Sequence, residues 1–110
     1  MSKMYIAVLD EFPDYMTPTL VGHAVLRHHI NYFGNWEYDI WFIESFKKVV
    51  VRVGQREFDK IRQLENITES WENNTLDGKV SCVTLIVSDE IPNVLKFAKL
   101  WKPNEQNSNT

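Results

Sequence analysis

Three valines in a row, Val49-Val50-Val51, set between Lys47-Lys48 and Arg52-Val53, constrain the fold more than any other stretch of this chain. β-Branched residues without polar alternation suit a strand covered on both faces, and such strands occur in parallel sheets flanked by helices. A second apolar run, Met4 to Leu9, ends at Asp10. Between the two runs there is room for a crossover helix. Thr17-Pro18 marks its start, with a hydroxyl cap followed by proline at the first helical position. The helix is expected to run to about Phe33 and to stop at Gly34. A strand–helix–strand unit of this kind closes right-handed with its strands parallel.

On that helix Val21, Ala24, Val25, His28 and Tyr32 share one face, and Leu26, Ile30 and Phe33 form another. A helix apolar on two sides is expected to be covered on both. His23, Arg27 and Asn31 make the polar edge between them, at i, i+4 and i+8. From Asn35 to Phe46 the chain is aromatic and mixed, and a short helix and an extended segment both remain open. Aromatics at that density suit a satellite core better than a base-stacking platform. They also raise the idea of a homodimer joined through Trp36 to Phe46.

Gly54 ends the valine strand, and Gln55 to Leu64 follows as an amphipathic helix with the stripe Phe58, Ile61 and Leu64. A short strand can form around Ile67 to Trp71. Asp77-Gly78 marks a turn, and Lys79 to Val87 is the last clear strand. Ser88 is expected to cap a final helix, with Pro92 in its first turn and Val94, Leu95, Phe97 and Leu100 as its apolar residues. The class is therefore α/β, a small mixed, mostly parallel four-stranded sheet with helices on both faces. Residues 1–103 are expected to form one domain, and 104–110 a disordered polar tail.

A chain of 110 residues buries roughly two-thirds of its unfolded surface, enough for a core without metal or disulfide. The one cysteine, Cys82, lies in an apolar run and reads as a buried, inert thiol. No apolar run approaches the ~18 residues of a membrane span, so no membrane partner and a cytoplasmic location are expected. The sequons at Asn66 and Asn73 then carry no meaning. Net charge is −3, unevenly placed: residues 1–46 hold two bases against six acids, and residues 47–110 hold ten bases against nine. The cationic candidates cluster in Lys47, Lys48, Arg52, Arg56, Lys60 and Arg62, which is either a phosphate-tracking surface or a solvated strand end and helix face.

Neither a metal nor a cofactor is expected. His23 and His28 stand five apart, not at the i, i+4 spacing that puts two ligands on one helix face, and no cysteine is near. There is no glycine-rich phosphate loop and no nucleophile elbow. His28 reads as a satisfied packing residue and His29 as solvent-facing. His23, at the polar edge near Arg27, is the one candidate for chemistry, with a hydrogen-bonded structural histidine as the alternative.

His23-Ala24 on the first helix, the valine strand opened by Lys47-Lys48, the strand from Gly78 to Val87 and the closing Lys99-Leu100-Trp101-Lys102 occur in an order that resembles the type 2 peptidyl-tRNA hydrolase superfamily, over roughly residues 4 to 102. That resemblance implies its fold, an ester hydrolysis at His23, and tRNA contacts from Arg27, Lys47, Lys48, Arg52 and Lys79. Active members also carry lysines before the helix, a glutamine three residues before the histidine, and an Arg-Asp-Ala-Gly-like turn before the last strand. Here Asp14 to Pro18 holds no lysine, Leu20 stands at the glutamine position, and no such turn is recognisable within Glu69 to Asn74. Hydrolysis needs a positioned base and a donor for the developing oxyanion, each worth about 10²–10⁴ in rate. An entrance loop carrying Asp10, Glu11 and Asp14 would also repel phosphate. The expected function is a divergent member that has lost hydrolysis and binds a protein, nucleotide or RNA-related ligand. An active peptidyl- or aminoacyl-tRNA hydrolase using His23 is the alternative.

Overall fold

The computed structural model describes residues 1–74 and 76–104; most of the expected polar tail lies outside them. The chain folds as β1 (Lys3–Leu9), α1 (Thr17–Tyr32), α2 (Trp36–Ile40), β2 (Lys47–Val53), α3 (Gln55–Ile61), β3 (Thr68–Trp71), β4 (Val80–Thr84) and β5 (Lys99–Leu100). A π-helical turn, Trp41–Ser45, extends α2, and 3-10 turns cover Asp14–Met16, Leu76–Gly78 and Asn93–Leu95. The architecture is α/β, with one five-stranded mixed sheet in the order β3-β4-β1-β2-β5.

The central strand explains the core. β1 is buried at every position from Met4 to Leu9, so both faces of the sheet are covered there. α1 packs across β3, β4 and β1, while α3 also contacts β1. β1 and β2 pair in parallel, Lys3 opposite Lys47 through Leu9 opposite Val53. The other three pairings are antiparallel, so the sheet is not mostly parallel as expected.

The extra strand comes from the segment expected to be a last helix. Ser88 caps nothing; it bridges Lys3 in the sheet, with Lys3 N donating to Ser88 O at 2.9 Å. Pro92 is extended (φ −59°, ψ 142°), which leaves only the turn Asn93–Leu95. The chain then passes beside β2, and Trp101 N donates to Val50 O at 2.9 Å. That short strand satisfies backbone groups which the edge of β2 would otherwise leave to water. The valine run is fully buried only at Val51 and Val53, which share one face of the sheet, while Val50 and Arg52 on the other face stay partly exposed. The expected cover on both faces is therefore met on one face only.

α1 differs from expectation in two ways. Thr17 is not its cap, because the Asp14–Met16 turn already places Met16 in helical geometry (φ −83°, ψ −18°). The helix also buries one stripe rather than two: Thr17, Leu20, Ala24 and His28 face inward, while Leu26, Ile30 and Phe33 are each more than 60 % exposed. Gly34, at φ 93°, ends the helix as expected, and Asn35 Oδ1 then accepts from Tyr38 N at 3.2 Å to start α2. Tyr38 and Trp41 enter the core, and Trp41 Nε1 donates to Lys47 O at 2.8 Å. Trp36 and Phe42 stay outside, so the aromatic stretch is only in part a satellite core.

Candidate functional site

Parallel pairing brings the carboxyl ends of β1 and β2 together, and the antiparallel β4 begins at the same end. Open α/β sheets place their ligands outside such carboxyl ends. Asp10, Glu11, Asp14, Arg52 and Lys79 gather there, and opposite charges meet. Arg52 Nη1 lies 3.0 Å from Asp14 Oδ1, and Arg52 Nη2 donates to Lys102 O at 2.6 Å. Asn104 N donates to Asp14 Oδ2 at 2.8 Å. The Arg52 bond, then the Asn104 bond, hold the Asp14 carboxyl below the ordinary aspartate range. Lys79 Nζ is paired with Glu11 and donates to Gln55 Oε1 at 3.0 Å. Glu11 and Asp14 of the acidic loop are thus each paired with a cation.

The remaining sequence candidates lie elsewhere. His23, on the second turn of α1, is half-buried and has no hydrogen bond or ion pair among the described residues. Arg27 stacks its guanidinium 3.9 Å over the Trp71 ring, and its Nε is buried without a hydrogen-bond partner among the described residues. Lys47 and Lys48 open β2, about 13–17 Å along the strand from Arg52. Lys48 Nζ donates to Phe46 O at 2.8 Å and sits over the Phe46 ring, and burial pushes its ammonium pKa down. The six candidates therefore occupy several separate places and do not converge on the imidazole.

Three of the six clustered cations read from the sequence, Arg52, Arg56 and Lys60, do converge, together with Lys99. A cleft of about 690 Å³ lies between α3 and the segment Asn93 to Lys99, lined by Arg52, Arg56, Lys60, Lys99 and Phe97. A second depression continues it past Lys99 to Lys102, sharing Arg52. Arg56, Lys60, Lys99 and Lys102 have no carboxylate partner among the described residues, and Glu57 is the one carboxylate in the lining. Phe97 stands 91 % exposed at the lip, and Arg52 lies 5.1 Å from the Trp101 ring centre. Lys99, Lys102 and Phe97 escaped the sequence reading as site residues because the segment looked like a core helix. The signal was present as the recurrence of lysine at 96, 99 and 102 with aromatic residues between.

The two histidines read as passive also sit differently. His28 is fully buried, with Nδ1 2.8 Å from Thr68 Oγ1, but its Nε2 has no partner among the described residues. It is therefore only half satisfied. His29 is not turned to solvent; it is half-buried, its Nδ1 lies 2.9 Å from the Tyr38 hydroxyl, and its ring packs against Phe33 and Phe42. Among the described residues no cluster of three or more His, Cys, Asp or Glu is placed to hold a metal ion. No helix among them is long and apolar enough to cross a membrane. A scan against protein-family models and a search of curated proteins both give no match to this chain.

Proposed function

We propose that this chain is a divergent domain of the type 2 peptidyl-tRNA hydrolase kind that binds rather than cleaves, holding single-stranded RNA along the α3 cleft. The observation that carries this reading is the split fate of the cations. Those at the parallel strand ends are neutralised, with Arg52 on Asp14 and Lys79 on Glu11, while Arg56, Lys60, Lys99 and Lys102 have no carboxylate partner among the described residues and line two depressions that meet at Arg52 and Lys99. A row of free cations beside an exposed aromatic ring, Phe97, suits a phosphate backbone with an unstacked base. The overall charge of −3 makes the concentration of base on this face more selective, because the rest of the molecule repels a polyanion. His23, with no group among the described residues to orient it, lacks the positioned partner that general-base hydrolysis needs. A reducing compartment such as the cytoplasm suits the unpaired Cys82.

Anisotropy of a labelled single-stranded RNA tests the binding. If the four free cations meet four phosphates, affinity falls about 50-fold from about 50 to about 200 mM salt. Lys60→Glu with Lys99→Glu is expected to abolish binding, whereas Lys47→Glu is expected to leave it intact. A protein that retains no RNA at the lower salt refutes the reading, and so does one that cleaves peptidyl-tRNA in a His23-dependent manner.

A further inference from the structure

α1 turns Thr17, Leu20, Ala24 and His28 toward the sheet. Helical geometry sets Thr19, Gly22, Leu26, Ile30 and Phe33 on the opposite side, and all five are exposed. That outer line carries no charge, and α1 as a whole holds no aspartate or glutamate. Its large members, Leu26, Ile30 and Phe33, follow at i, i+4 and i+7, the spacing by which one helix packs on another. Gly22 is the odd member. Its backbone is not left-handed, and a Cβ built there would meet nothing within 4 Å beyond its own stretch of helix, among the described residues. Glycine inside a helix is less stable than alanine, so a single chain gains nothing from it. What glycine does offer at such a place is close approach by a second body. The pattern around it says which body. Counted from Leu26, each large residue has a small counterpart at equal distance on the other side: Ile30 and Gly22 at four residues, Phe33 and Thr19 at seven.

We infer that this face joins two copies of the chain, their α1 helices antiparallel and crossing at Leu26. A two-fold axis at that residue makes the contact isologous. Leu26 meets Leu26 of the second copy, Ile30 lies level with its Gly22 and Phe33 with its Thr19, so each knob finds a hollow. A parallel pair would instead set Phe33 against Phe33 and leave a gap between two glycines. Antiparallel helices also place opposite dipole ends together. The area suffices for a modest dimer. With Phe42, which adjoins the strip through the His29 ring, these side chains leave roughly 400 Å² of apolar surface open, taking roughly 200 Å² for a fully exposed aromatic residue and somewhat less for an aliphatic one. An interface of standard size takes about 800 Å² from each partner, of which about 500 Å² is apolar. Arg27, at the border of the strip, is stacked on Trp71, so no pair of like charges has to be buried between the helices. The contact shares no residue with the α3 cleft and stands independently of what that cleft binds.

Sedimentation velocity of the full chain from about 5 to about 500 µM tests the contact. A reversible monomer–dimer equilibrium is expected within that range. A chain that stays monomeric throughout, or that assembles beyond dimers, overturns the inference. Gly22→Leu separates fitted packing from mere stickiness. It adds apolar surface and a better helix former where there is room for one, so the monomer keeps its fold, yet it fills the hollow that Ile30 of the second copy needs. The dimer Kd is expected to rise about tenfold or more, and association as strong as the native chain's, or stronger, overturns the inference. Cysteine cross-linking reads the register. Leu26→Cys, on the axis, is expected to give a covalent dimer on mild oxidation. In Thr19→Cys the two thiols stand about 21 Å apart along the helices, beyond disulfide reach, and no such bond is expected. Cys82 is buried and takes no part. Bonding of Thr19→Cys as readily as Leu26→Cys overturns the arrangement. Should Gly22→Leu fold poorly, these two substitutions at exposed positions decide.

Discussion

Acid should weaken this fold chiefly through His28, and replacing that one residue should remove most of the effect above pH 4.5. The ring is fully buried against Tyr32 and Tyr38, and desolvation of the charged form lowers its pKa from 6.5 to about 4. The unfolded chain therefore takes up a proton at a higher pH than the folded one. Between the two values the unfolded state binds more protons, so stability is whole above pH 6.5 and falls as the pH drops toward 4. Integrating that difference from about pH 8 to about pH 4.5 gives a loss of about 2.5 kcal/mol, roughly three-quarters of the limit of about 3.4 kcal/mol set by 1.36 kcal/mol per pKa unit. In urea this is a fall in midpoint of about 1–2 M. His28→Gln cannot titrate, so although it starts less stable near neutrality its midpoint should be nearly flat across the same range. Urea melts followed by tryptophan fluorescence at four or five pH values provide the comparison. If the variant keeps the full acid slope of the native chain, His28 is not buried as a neutral ring and the reasoning fails.

Three further outcomes follow from other parts of the molecule. Phe58, on α3, is 0 % exposed, and Phe58→Ala should cost about 3–5 kcal/mol by chemical denaturation; a cost below about 1 kcal/mol would mean that α3 does not close its face of the sheet. Cys82 is fully buried with its Sγ 3.7 Å from Leu20 O, and burial raises its thiol pKa to about 12. A disulfide reagent should therefore react with it only as the chain unfolds, and prompt labelling of the native protein contradicts the placement. Leu26, Ile30 and Phe33 leave an apolar strip along α1 that continues through the packed rings of His29 and Phe42. Sedimentation equilibrium is expected to show self-association that Ile30→Glu abolishes, and a monomer at high concentration removes the idea.

The parts of this fold that local pattern controls were legible in the sequence. Met4 to Leu9, the helix ended by Gly34, the strand closed by Gly54 and the apolar run through Cys82 each announce themselves through periodicity and turn residues. What depends on distant partners was not legible. Lys99 and Leu100 form a strand because β2 offers them an open edge, and nothing within Ser88 to Trp101 distinguishes that from a capped helix except the extended geometry at Pro92. The outward Leu26, Ile30 and Phe33 face likewise looked buried because hydrophobicity records what a residue tolerates, not what stands opposite it. At the strand ends, the acidic loop and the cations were each visible, yet their mutual cancellation was not, since Asp14 and Arg52 meet only once β1 and β2 align. His28 shows the same limit. Its burial was expected from the helical face, but its unpartnered nitrogen depends on where Thr68 arrives from β3.

The two borders of the sheet are its shortest members, four residues in β3 and two in β5, while the seven-residue strands β1 and β2 lie inside. β3 is further interrupted by an irregularity between Ser70 and Trp71, and Arg27 covers the Trp71 ring. A passing extended polypeptide therefore finds little continuous frontage on which to add a rung. Deleting β5 would uncover the valine-rich strand beside it, turning a shielded interior into a template for aggregation.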